Sequence, residues 1–200
     1  MRWPVLGGAA ILMLAGVVAA LPARRTTEAP PPGFSGGFGE PSCVACHSDN
    51  ALNAFGGRVL VEGLPDAYEA GKEYVLTVRL EAGGTAVAGF EVTARFSEGA
   101  SRASNAGILR SLDQRAAVTD SAGISYLHHT RAGSVVTSDT GSSWALQWIA
   151  PQQGGAVTIN VAANSGNADS SPLGDLVFIT EVTLPPALDE LPLPTQESHR

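Results

Sequence analysis

Cysteine is scarce: the 200-residue chain has 2, at Cys43 and Cys46. That excludes a disulfide-rich scaffold. It also excludes a four-ligand structural zinc site built on two cysteine pairs, because no second pair exists. Methionine is equally rare, and its 2 copies, Met1 and Met13, both lie in the N-terminal apolar region. Lysine occurs once, at Lys72, so arginine supplies nearly all the positive charge. Charged residues are 16% of the chain, below the roughly 25% usual for soluble domains. The net charge of −7 leaves no basic excess of the kind nucleic acid recruits. No stretch sustains a 3.6-residue apolar period with helical caps, which argues against a helical bundle.

Both cysteines stand in Cys43-Val44-Ala45-Cys46-His47. Two cysteines three apart, with a histidine directly after the second, form the attachment pattern of a c-type haem. On one helical turn, residues i and i+3 share a face. Cys43 and Cys46 can then both reach one edge of a flat macrocycle and form thioethers with its vinyl groups. His47 presents an imidazole to the iron as proximal ligand. The competing readings are a redox dithiol, a small structural disulfide, and a metal site. The first lacks a βαβ context and the last lacks further ligands.

Taken in order, residues 1–20 read as a secretory signal. Arg2 is the positive start, Val5 to Val18 the apolar run, and Val18-Ala19-Ala20 the cleavage region. The run is shorter than the roughly 20 residues of a spanning helix. Arg24 and Arg25 leave an uncleaved N-terminal anchor as the alternative, the one route to a membrane in this reading. Residues 21–41 read as a Gly/Pro-rich linker, with Pro30, Pro31 and Pro32 followed by Gly33, Gly36, Gly37 and Gly39. Residues 42–57 are the haem-attachment segment.

From 58 to 184 short alternating runs recur between Gly, Asp, Asn and Ser clusters. Tyr74, Leu76, Val78 and Leu80 share a face, and Phe90 to Phe96 alternates more cleanly. Trp144, Leu146 and Trp148 form a third run. Val157, Ile159 and Val161 form a fourth, and 176–184 the last. Weaker runs lie at 58–64, 108–112, 116–119 and 125–131. The expected fold is all-β, an immunoglobulin-like antiparallel sandwich preceded by a short helical attachment turn. Trp144 and Trp148 read as core, and the loop holding Asp169 and Asp175 as an ordinary polar loop. The tail, 185–200, is Pro-rich and acidic and reads as disordered.

The order of a Gly/Pro-rich lead, Ser-Cys-Val-Ala-Cys-His-Ser and then a β-domain resembles bacterial exported Reeler-like proteins of the "choice-of-anchor V" type. The β-domain segments that carry the likeness are Ala88 to Ala94, Tyr126 to Thr130, Trp144 to Pro151, Val161 to Asn164 and Gly174-Asp175. The resemblance implies a sandwich displayed outside the cytoplasm.

Removal of the signal would leave no methionine in the mature chain, so the chain could not supply the methionine partner that raises cytochrome c potentials. Candidates for the sixth position are His128, His129, His199 and Lys72, or an open site. His128 and His129 are neighbours on one expected strand and point to opposite faces. Position 129 matches the Tyr-x-x-His-Thr pattern of the resembled family, which makes His129 the candidate distal ligand and His128 the runner-up. The alternative is that neither sees iron.

These readings add up to an exported monohaem c-type electron carrier, periplasmic or at the cell surface. It would be an electron carrier, with no catalytic residues. Its acidic balance favours a basic redox partner. The alternatives are a cell-surface binding or adhesion sandwich whose CxxCH is structural, and a haem-based sensor of small ligands.

Overall fold

The computed structural model describes residues 29–187. The signal at 1–20, the first part of the 21–41 linker, and all but the start of the 185–200 tail lie outside the described residues.

Nine strands form two antiparallel sheets among the described residues. One sheet has the order β1 (Gly57–Glu62), β2 (Glu73–Ala82), β7 (Gly141–Ile149), β4 (Ile108–Ser111). The other runs β5 (Ala116–Ser121), β6 (Ile124–His129), β3 (Val87–Phe96), β8 (Val157–Gly166), β9 (Leu176–Leu184). This is a β-sandwich, and every run expected from the alternation, strong or weak, is a strand.

The alternation places the core. Leu76, Val78 and Leu80 on β2 meet Phe90, Val92 and Ala94 on β3, with Trp144, Leu146 and Trp148 on β7, all buried. Phe90 stacks on Trp144 with ring centres 4.4 Å apart, and Tyr74 stacks on Trp148 at 5.6 Å. A buried indole N–H needs an acceptor. Trp144 Nε1 donates to the Gly133 carbonyl at 2.8 Å, and Trp148 Nε1 to that of Ala106 at 2.9 Å.

Strand β3 departs from the half-exposed pattern its sequence suggests. Glu91, Thr93 and Arg95, on the face away from the core, are also buried. Residues 33–42 cover them. Part of the stretch that reads as a linker is thus a folded strap on the outer face of the five-stranded sheet. The strap is a tight loop closed by Gly36 N–H to the Pro41 carbonyl (3.0 Å) and a bridge between Ser35 and Ser42. Its glycines permit contact with the sheet. A Cβ on Gly37 would lie 2.1 Å from Asn160 Cγ. Composition signalled flexibility here, but close backbone approach is the use to which the glycines are put.

Candidate functional site

The strap leads directly into the cysteine turn. Cys43–Ala45 is a 3-10 turn, tighter than the α-helical turn assumed from spacing. The N–H groups of Cys46 and His47 both donate to the Cys43 carbonyl, at 3.1 and 3.0 Å. Cys46 caps this turn, so the two thiols stand one tight turn apart. Both thiols are free. Cys46 is exposed. Cys43 turns its sulfur inward, and burial pushes the thiol up to about 12, with the charges of Glu91 and Cys46 adding to the effect and its own backbone hydrogen bond opposing it.

His47 is held from the far end of the chain. Its Nδ1 lies 2.6 Å from Asp175 Oδ2. A carboxylate only accepts, so Nδ1 carries the proton, and in the neutral ring Nε2 keeps its lone pair. Asp175 is buried and sits just before β9. Its Oδ2 also accepts Asn164 Nδ2–H at 3.3 Å, and its Oδ1 accepts the Asn167 N–H at 3.2 Å. Two more bonds sew the loops together. Asn50 Nδ2 donates to the Asp175 carbonyl at 2.9 Å, and the Gly174 N–H to Asp49 Oδ2 at 2.6 Å. The Asp169/Asp175 loop, read from sequence as merely polar, thus supplies the histidine's partner.

The two strand histidines have different fates. His128 is buried, with Nε2 2.9 Å from Thr119 Oγ1 and Nδ1 2.9 Å from the His129 carbonyl, so both ring nitrogens are engaged. His129 ends β6, and its Nδ1 lies 3.1 Å from the Phe90 N and 3.2 Å from the Phe90 O. The ring substitutes for the next rung of the β3–β6 ladder. It rests on Gly89, where a Cβ would fall 2.6 Å from Cε1. Burial drives His129 down to about 4, the Phe90 hydrogen bond opposing and His128 adding slightly, so the ring is neutral near pH 7. Its Nδ1 is spent on Phe90 and Nε2 is the nitrogen open to a ligand. Gly89 pairs with Asn164 and Asn164 with Val177, so β3 and β8 lie between the His129 and His47 ends of this row.

Beneath the strap lies a polar cluster that the sequence did not announce. Glu91 Oε1 accepts the N–H groups of Gly33 (3.1 Å) and Phe34 (2.6 Å), while Oε2 has no partner. Burial is the main reason Glu91 rises to about 7. Glu40 adds to that shift, while the two N–H donors and Arg95 oppose it. Arg95 pairs with Glu40 and donates to Tyr126 OH at 2.8 Å. Its guanidinium lies 5.3 Å from the ring centres of both Phe38 and Tyr126. Tyr126 OH donates to Glu40 at 2.5 Å. The signals for this cluster were an arginine and a glutamate on the polar face of a cleanly alternating strand, which is equally the pattern of a solvated face.

The residues fit a covalently held haem in three respects. The thiols stand one tight turn apart, His47 directly after them has its Nδ1 occupied and Nε2 free, and Leu52, Phe55 and Leu173 on the adjoining loops are exposed apolar side chains. Among the described residues no group of three or more His, Cys, Asp or Glu gathers into a bare-metal site. None of their helices is long and apolar enough to cross a membrane. Separately, an open groove of about 860 Å³ lies where β1, β2 and β7 meet, lined by Phe55, Arg58, Arg79, Glu81, Thr137 and Ser143.

No family model matches the chain, and no curated protein does. Solved structures do. The human F-spondin reeler domain is 18% identical, covering 72% of this chain and 98% of its own, with a TM-score of 0.47. A second structure, the Reelin-N domain of F-spondin, is 17% identical over 72% of this chain and 97% of that one, TM-score 0.47. A cohesin module from a Clostridium perfringens family 33 glycoside hydrolase is 13% identical, covering 68% and 100%, TM-score 0.46. Likeness at this level bears on architecture alone, and the sandwich assignment rests on the two sheets themselves.

Proposed function

We propose that this chain is an exported β-sandwich module carrying one c-type haem and transferring electrons, periplasmic or at the cell surface. The observation that carries the reading is His47, tied through Nδ1 to Asp175 with Nε2 left free, directly after the turn that carries the two thiols. A ligating histidine ordinarily has its other ring nitrogen bonded to such a partner. Cys43 and Cys46 would hold the macrocycle and His47 would be the proximal ligand. His129, the candidate distal ligand from sequence, lies with two strands between it and the His47 end, about 14 Å at ordinary strand spacing, too far to share its iron, and the sixth position would be left open. The haem would supply one-electron chemistry, while the protein supplies position and electrostatics. The net charge of −7 favours a basic redox partner.

Two measurements test this on the full chain made in a host that attaches haem c. Intact mass should show one haem added, and the pyridine haemochrome spectrum should be that of a thioether-linked haem. Colourless protein from such a host would refute the reading.

The groove favours a second reading, a binding or adhesion module whose thiols are structural. It predicts colourless, fully folded protein with both thiols free or joined.

A further inference from the structure

We infer that Asp175 is a positioning residue that sets the donor strength of His47, and thereby the reduction potential of a haem held at the Cys43–Cys46 turn. This rests on the haem reading above.

The geometry is specific. The 2.6 Å contact joins His47 Nδ1 to a carboxylate with only 5% of its side chain exposed. A buried, charge-assisted hydrogen bond is shorter and roughly twice as strong as a neutral one. It draws the Nδ1 proton toward oxygen and makes Nε2 a better donor. A better axial donor stabilises ferric over ferrous iron, so the potential falls. Asp175 cannot swing away. Its carbonyl is held by Asn50, its Oδ1 by the Asn167 N–H, and the strand that follows it by the β8–β9 register. One further side chain modulates the contact. Asn164 donates to the same oxygen that receives His47, at a longer 3.3 Å, and competes for its charge. The carboxylate–histidine pair and the competing amide together form a graded control on the iron, drawn from β8 and from the β8–β9 loop.

The test uses wild-type full chain, Asp175→Asn and Asn164→Ala, all matured in a host that attaches haem c. Three quantities are read: haem content by pyridine haemochrome, reduction potential by spectroelectrochemical titration, and the ferric EPR spectrum. Asp175→Asn replaces a charged acceptor by a neutral one. Its haem content should match wild type, its potential should be higher, and its EPR g-values should move. Asn164→Ala removes the competitor and should lower the potential. A wild-type potential and g-values in Asp175→Asn would overturn the inference. Should that variant fail to fold, an unchanged or raised potential in Asn164→Ala would overturn it alone. A blank haemochrome in the wild type removes the haem reading itself, and is told apart from the other outcomes because no potential can then be measured.

Discussion

Glu91 offers a sharp test of the strap. Its carboxyl is buried in the outer layer of the sheet, one oxygen accepting the Gly33 and Phe34 N–H groups and the other unpartnered. In the folded chain it titrates at about 7 instead of the usual 4.5. Between those values the folded protein binds a proton that the unfolded chain has released. The sign follows: Glu91's contribution is fully present below pH 4.5 and is lost as pH rises through about 7. At about 1.4 kcal/mol per pH unit, that interval is worth about 3 kcal/mol. Glu91→Gln keeps an oxygen for the two N–H groups and carries no charge at any pH. Relative to wild type, the variant should therefore gain about 3 kcal/mol between pH 4 and pH 8. In urea titrations with a slope of about 2 kcal/mol/M, the midpoint difference would move by about 1.5 M. The comparison is of difference curves, so groups common to both proteins cancel. A midpoint difference that is constant from pH 4 to 8 would show that Glu91 titrates normally and that the strap does not bury it.

His129 predicts the opposite slope. Its folded value of about 4 lies below the usual 6.5, so its contribution is present above pH 6.5 and is lost as pH falls through about 4. His129→Gln, measured against wild type by the same urea titrations, should lose its pH-dependent disadvantage toward pH 4; a difference that grows on acidification would contradict the assignment. Arg95→Met leaves Glu40 of the strap without its cationic partner, with only the Tyr126 and Ser35 hydroxyls still donating to it. Breaking a buried pair costs about 3–5 kcal/mol, and hydrogen exchange should show the Gly36 and Glu40 amides losing protection before those of β8.

The sandwich was legible because its strands alternate with period 2, and even the short runs at 108–112 and 116–119 carried enough β-branched and apolar residues to register. The turn at Cys43 was legible because two cysteines three apart fit a single helical turn. What stayed hidden is whatever depends on partners far apart in sequence. His47 meets Asp175 across 128 positions, and Glu40 meets Arg95 across 55. Neither pair has a local signature. The strap was misleading for a physical reason. Glycine marks freedom in an isolated chain, and the same lack of a side chain lets Gly37 settle against Asn160. Glu91, Thr93 and Arg95 looked like a wet face because alternation reports only which side a residue is on, never what lies over it.

The span between His47 and Asp175 also imposes an order of events during biosynthesis. The turn is made before the sandwich, yet its clamp follows almost the whole of it. Until synthesis has passed β8, His47 has no Asp175 to meet and the turn lacks that tie. The cysteine turn is thus held by a residue made more than a hundred positions after it, so the loop before β9 is what fastens it to the sandwich.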